Sequence, residues 1–567
     1  MKICKRMDAA VVLMFFLSAC PGWSTSVRFD ARPEIISDAP GRFAFRGTYD
    51  ISSFEGKSTA NARIRFWHEI PGREFPSFRV FAVAEDGSER FVATAPNGQN
   101  GPITVIDITD EINERLAAGR LKPEFVIREM SGMNPVFSVN TNKPVILEIE
   151  REAGPRFDVD AALAPVWKGS RMVNESLLPV SAGGAPAEGR LLFAPSRDLV
   201  VRNSRLDTVY EQGRDYVVEG NVLRLPPGSS IPFMTQEQLY PAEAGPAGTT
   251  HPALNGGFVY AFDGGLRDFQ LAISYTHDAP WDGPIPSSGE GRLPRTKAML
   301  RQGAPLKVVL LGDSISRGAG ASWSRPPFLR SWGSLLIQYL EKRFGVRITF
   351  LNHGLGGTRA DWGALVAPYF AAPEKPDLCL IAFGMNDGNG TPTADYLKNI
   401  KKIIEEMQAG SPETEFILVA PMLKNANWRS LSPMNEYLAA LRTLESETIA
   451  VADVWSVSEY ILRSKKYSDV SSNHLNHPDD FMVRIYTQVI AALFSETSNI
   501  SSEGEKKGAG GGDVRWYSGV QEDYYDHAVT ILFEERAGGL CLLASLSARR
   551  AQASELKYDR IARNVYE

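Results

Sequence analysis

Short runs in which apolar and polar residues alternate fill the first quarter of the chain, at residues 63–67, 77–84, 90–94, 103–108, 125–128 and 145–149. Turn signals separate them, among them Glu85-Asp86-Gly87 and Pro96-Asn97-Gly98. Period-two patterning puts every second side chain on one face of a strand, so residues 25–152 are expected to form an antiparallel β-sandwich. One stretch breaks the pattern. Ile108, Ile112 and Leu116 recur at helical spacing within residues 104–119, which predicts a short amphipathic helix capping the sandwich.

Residues 153–295 carry a second set of strand-like runs, at 191–193, 199–202, 215–218, 222–225, 258–262 and 270–276. Gly213, Gly220, Gly228 and Pro226-Pro227 mark turns between them. A second sandwich is expected here, or an accessory layer packed on the next domain. A Gly- and Pro-dense loop (241–257) lies within it, and a polar linker (284–294) closes it. From 301 to 497 the pattern changes. Strand-like runs at 307–311, 347–352, 378–383, 415–420 and 449–455 alternate with helical ones at 328–344, 393–409, 434–444 and 479–494. In the second helix Leu397, Ile400, Ile404 and Met407 fall on one face. Such alternation predicts a parallel sheet with helices on both sides. Residues 498–513 read as a flexible linker by composition, and 514–567 show no pattern to which a role can be attached.

Composition changes this picture little. The 567 residues carry a net charge of −6, so the basic footprint of a nucleic-acid-binding protein is missing. The start of the chain says more. Lys2, Lys5 and Arg6 precede the apolar run 9–17, which resembles a secretory signal and is too short to span a bilayer. The run ends in Leu17-Ser18-Ala19-Cys20, which resembles a bacterial lipobox. The resemblance implies acylation of Cys20 and a lipid-anchored protein of the cell envelope; an ordinary signal peptide would give a secreted or periplasmic one. The other three cysteines, Cys4, Cys379 and Cys541, make no disulfide framework or CxxC metal pattern. Residues 104–127 also resemble a strand–helix–strand signature of jelly-roll modules attached to secreted polysaccharide-active proteins. Phe66, Trp67 and His68 are the candidates there for stacking on sugar, with core burial as the alternative.

The chemistry is concentrated between residues 301 and 497. A buried-type strand stops at Gly312-Asp313-Ser314 before a helix-compatible segment, which places a serine at the carboxyl edge of a sheet, where open α/β sheets put their sites. Asn352 to Gly357, with His353 among them, follow the second strand, Gly384-Met385-Asn386-Asp387 the third, and His477-Pro478 precedes the last helix. Acyl transfer needs a nucleophile, a base to take its proton, and donors aimed at the developing oxyanion. Ser314, His477 and the Ser314 N–H, Gly357 N–H and Asn386 amide supply that set. Asp387 is expected to hold its own loop by accepting backbone hydrogen bonds.

These four blocks, in this order, resemble the SGNH (GDSL-type) hydrolase superfamily. The resemblance implies a flavodoxin-like three-layer α/β/α sheet and ester hydrolysis through an acyl-enzyme, with no metal or cofactor. One position departs from it. The superfamily places an aspartate three residues before the histidine, and here that residue is His474. An imidazole cannot stabilise the His477 imidazolium as a carboxylate would. Three replacements are open: Asp469 from upstream, a backbone carbonyl, or a Ser–His dyad. His474 and His477 with nearby carboxylates also admit a metal reading. The expected function is an exported esterase deacylating, chiefly deacetylating, polysaccharide. The alternatives are an inactive glycan-binding scaffold on the same fold, or a lipase or thioesterase.

Overall fold

The computed structural model describes residues 26–31, 33–37, 44–55, 59–69, 78–95, 103–129, 138–139, 145–151, 159–262, 264–323, 325–495, 531–536 and 539–545. The signal-like segment with Cys20 and the linker 498–513 lie outside these residues, as do the side chains of Trp67 and His68.

Between residues 26 and 151 the alternating runs form two antiparallel sheets, each of five strands. Their apolar faces meet: Phe66 from Thr59–Glu69 lies 5.0 Å, centroid to centroid, from both Phe45 and Phe78, which belong to the other sheet. Phe66 is therefore a core residue, fully buried, and not a surface platform. The expected helix is Thr109–Ala117, with Ile108, Ile112 and Leu116 turned inward.

Residues 171–277 form a four-stranded antiparallel sheet, in which Leu271–His277 lies between Arg171–Leu177 and Pro195–Asn203, and a smaller sheet of five short strands. The run 191–193 is not a strand; Leu191 and Phe193 are loop residues buried in the core. This region is not separable from the α/β region. Its Ile273 and Tyr275 belong to the same hydrophobic cluster as Leu310 and Phe350 beyond the boundary. Glu175 and Lys465 form an ion pair across that boundary at 2.5 Å, with neither side chain exposed. The buried Arg484 guanidinium donates to the backbone oxygens of Val173 and Asn174.

The α/β region is a five-stranded parallel sheet: β1 Leu306–Gly312, β2 Ile348–Gly354, β3 Leu378–Ala382, β4 Glu415–Ala420 and β5 Ile449–Asp453. The strand order is β2-β1-β3-β4-β5. Nearly every residue of β1, β3 and β4 is buried, which explains their continuous apolar sequences: helices cover both faces. The helices are α1 Ser314–Arg317, α2 Trp332–Phe344, α3 Ala360–Val366, α4 Thr393–Gly410, α5 Tyr437–Arg442, α6 Val454–Leu462 and α7 Asp480–Ala492. Right-handed crossovers send α2 to one face and α3, α4 and α5 to the other, and α7 packs beside α2. The order reverses at β1, so a crevice opens at the carboxyl end of that strand.

α2 begins at Trp332 rather than at residue 328 because Phe328 is left-handed, φ +58°, and Ser331 caps the helix by accepting from the Ser334 N–H. At its other end Glu341 is 4 % exposed; its Oε1 accepts from the Ile348 N–H at 2.7 Å. Burial pushes this carboxyl up from 4.5 to about 7. Its protonated form is favoured on folding, so the contribution is full below about pH 4.5 and lost as pH rises through about 7. Glu341→Gln, which mimics the protonated form at every pH, should melt near the parent chain at pH 5 and above it at pH 8. Melting curves at the two pH values check this, and a lower melting point at pH 8 would contradict it.

Candidate active site

Every block singled out in the sequence lies at the carboxyl edge of the sheet. β1 ends at Gly312, where a Cβ would fall 2.2 Å from Ser316 Oγ and 2.8 Å from Ala382 O, so only glycine lets the turn close against β3. Asp313 caps α1 by accepting from the Ile315 N–H at 2.9 Å. α1 is a single turn, so its dipole adds little at Ser314. Ser314 Oγ lies 2.9 Å from His477 Nε2, within hydrogen-bond reach for proton transfer.

Asn473 closes the turn that carries His477. Asn473 Oδ1 accepts from the N–H groups of Leu475, Asn476 and His477, each at 3.0 Å. Ser471 Oγ donates to His477 O at 2.8 Å, and Asp479 caps α7 by accepting from the Met482 N–H. The serine and histidine loops touch backbone to backbone, since a Cβ on Gly320 would sit 1.9 Å from Pro478 O. Arg267, from the preceding β region, ties both together. Its guanidinium is paired with Asp480 at 2.8 Å and donates to Gly320 O at 2.8 Å.

The expected oxyanion donors follow the ends of β2 and β3. Gly357 is exposed at φ +78°, with open space where a Cβ would point. Asn386 Nδ2 donates to Thr358 O at 2.9 Å, which fixes the amide and leaves its second N–H for another acceptor. Thr358 is anchored in turn, its hydroxyl donating to Leu355 O at 2.7 Å. Asp387 accepts from the N–H groups of Ala360 and Gly384, at 3.0 and 3.1 Å, and so holds this loop as expected; burial raises its carboxyl to about 6.

Asp469 and His474, the two residues weighed beside His477 in the sequence, are each engaged by other groups. Asp469 is bound at the boundary between the two regions. Its Oδ1 accepts from the Leu178 N–H at 2.8 Å and its Oδ2 from the Lys466 N–H at 2.9 Å, which makes it a clamp between the β region and the α/β region. Burial raises its carboxyl. His474 occupies the superfamily's aspartate position in a left-handed conformation, φ +62°, and its Nε2 faces the Tyr240 hydroxyl at 3.3 Å. Burial pulls it down to about 3, so it is neutral and engaged away from His477. Burial raises the Asp313 carboxyl to about 7, and the His477 charge works in the opposite sense. His353, at the end of β2, is buried and drawn down to about 4 by that burial and by the charge of Arg79.

Sequence reasoning missed the segment after β4. Lys424 is 1 % exposed; its ammonium donates to Gly388 O at 2.5 Å and Asn389 Oδ1 at 3.2 Å, on the loop that carries Asn386. Asn425 next to it donates to His474 O at 2.7 Å and, through its N–H, to Leu475 O at 2.8 Å. The pair brackets the crevice, one arm on the oxyanion loop and one on the histidine loop. Its position after a strand end was a usable signal. Arg267, more than two hundred residues upstream of its partner, left none.

Residues 310–480 match the GDSL-like lipase/acylhydrolase family. An arylesterase from Vibrio mimicus is 34% identical over 99 residues, 17% of this chain and 46% of that protein, so the match spans about half of the relative's length. Among solved structures, a two-domain esterase active on acetylated mannans, crystallised with mannopentaose, is 19% identical, with 37% of this chain and 56% of that chain covered and a TM-score of 0.31. An acetylxylan esterase from Geobacillus stearothermophilus is 16% identical, with 34% and 94% covered and a TM-score of 0.29.

Proposed function

We propose, from the match of residues 310–480 to the GDSL-like lipase/acylhydrolase family, that this chain is a serine esterase that removes acyl groups, chiefly acetyl, from polysaccharide. Ser314 Oγ attacks the acyl carbonyl as His477 Nε2 takes its proton. The tetrahedral oxyanion is met by the Gly357 N–H, the second Asn386 N–H and the Ser314 N–H. His477 then returns the proton to the departing sugar oxygen. Water, activated by the same imidazole, hydrolyses the acyl-enzyme and regenerates Ser314.

The observation that carries this reading is the 2.9 Å contact between Ser314 Oγ and His477 Nε2, which favours a working enzyme over an inactive scaffold. The polysaccharide part rests on two β regions preceding the esterase and on the jelly-roll resemblance of residues 104–127. Turnover of p-nitrophenyl acetate by the purified chain tests the chemistry, and none at any pH from 5 to 9 would refute it. Asn386→Ala should lower kcat by about 10²-fold with KM little changed, because an oxyanion donor acts only in the transition state. An Asn386→Ala enzyme that loses affinity instead of kcat would move Asn386 out of this role.

A further inference from the structure

Beyond the bracket residues, the segment after β4 continues to the surface beside the crevice. The Trp428 N–H donates to Asn425 O, and Asn427 O accepts from the Leu254 N–H at 2.8 Å, so the segment is stitched to the 241–257 loop of the preceding β region. Asn427 Nδ2 also donates to the Tyr240 hydroxyl at 3.1 Å. Leu475, Val259 and Ala261 form a small buried cluster against which Tyr240, Ala253 and Trp428 pack. Leu475 is two residues from His477, which places the half-buried Trp428 at the rim of the crevice.

This rim combines aromatic surface with positive charge. The exposed Arg429 guanidinium lies 5.1 Å from the Trp428 ring centroid, and the exposed His251 ring centroid lies 6.1 Å from it. Leu254 is 53 % exposed. Among the described residues Arg429 has no carboxylate within ion-pair distance, and the ammonium of Lys424 meets only the neutral oxygens of Gly388 and Asn389. Burial lowers both His251 and Lys424, the latter to about 8, and the Arg429 charge adds to each shift in the same direction. The rim is thus positive in a chain whose net charge is −6.

Resting on the esterase reading above, we propose that Trp428, Arg429 and His251 form a subsite for a carboxylate-bearing sugar of the acylated polysaccharide, with the preceding β region supplying part of it. A sugar ring offers C–H faces for stacking on an indole. A guanidinium within cation–π range of that indole still has N–H groups for bidentate pairing with a carboxylate. The buried Lys424 ammonium, while protonated, adds a positive field that raises the local concentration of an anionic chain.

The test compares an acetylated oligogalacturonate with an acetylated cello-oligosaccharide of the same length, with p-nitrophenyl acetate as the measure of the chemistry itself. The parent enzyme should prefer the uronate in kcat/KM by about tenfold or more at low salt, and the preference should shrink as salt is raised. Arg429→Gln should reduce that ratio by about tenfold through KM on the uronate. Trp428→Ala should raise KM for both oligosaccharides, and Arg463→Gln, an exposed charge control at the far end of α6, should leave the ratio alone. Equal kcat/KM on the two oligosaccharides, or a ratio unmoved by Arg429→Gln, would overturn the subsite while p-nitrophenyl acetate turnover still supported the esterase. Loss of that turnover in the parent chain would overturn the esterase reading itself.

Discussion

Ser314→Ala should lower kcat on p-nitrophenyl acetate by about 10⁴-fold or more and leave the melting temperature within a degree or two of the parent chain. The large first number follows from the role: without Oγ no acyl-enzyme forms, and only the oxyanion donors remain to help water. The small second number follows from the surroundings. Ser314 is partly exposed, and the side-chain contact the structure gives it is with His477 at 2.9 Å. Removing the hydroxyl leaves the Asp313 cap and the Gly320–Pro478 contact in place. His477→Ala should cost nearly as much, and the double variant little more than either alone, since nucleophile and base act as a unit. Rate assays on the three variants check this. Undiminished turnover in Ser314→Ala would remove Ser314 as the nucleophile and leave the fold reading standing.

Much of the α/β region was legible because its signals are local. The apolar run of β1 and its Gly312 stop are consecutive residues, and Ile400, Ile404 and Met407 of α4 are buried at the spacing that predicts them. Tyr396 is also buried, while Leu397, placed on the same face, is only half-buried, a rotation of one residue that the helix period does not resolve. α3 leaves no such trace: at seven residues, with Gly363 inside it, it is too short to show a period. The candidate site was legible block by block, since each block follows a strand or precedes a helix. What supports the site was not. Nearness along the chain suggests Asp469 as a partner for His477, but its carboxylate is taken by the Leu178 N–H, 291 residues away. Tyr240, Arg267 and Gln270 reach the serine and histidine loops from the preceding β region, Gln270 by donating to Ser468 O and Ser471 O. Pairings over such separations leave no periodic trace. Composition and patterning therefore divide the chain into modules at a place where its side chains are interlocked.

That interlocking sets the second large effect. Lys465→Met should destabilise the protein by about 3–5 kcal/mol, because it strands a carboxylate buried for the sake of its partner. Glu175 accepts from the Lys465 ammonium at 2.5 Å, from the Tyr275 hydroxyl at 2.5 Å and from the Leu192 N–H at 2.9 Å; Lys465 also donates to Arg190 O at 3.0 Å. With both side chains wholly buried, water cannot replace the missing ammonium. The melting temperature should fall by about 10 °C, and adding Glu175→Gln should recover part of the loss, since the unpaired charge is then gone. Calorimetry decides what the pair joins. If residues 171–277 were an independent accessory domain, Lys465→Met would split the melting curve and esterase activity would outlast the first transition. If the β region and the hydrolase are one cooperative unit, a single transition should move to lower temperature and activity should vanish with it. The second outcome is expected, because the same β region that buries Glu175 also supplies Arg267 to the serine and histidine loops, so its unfolding removes the support on which the 2.9 Å contact depends.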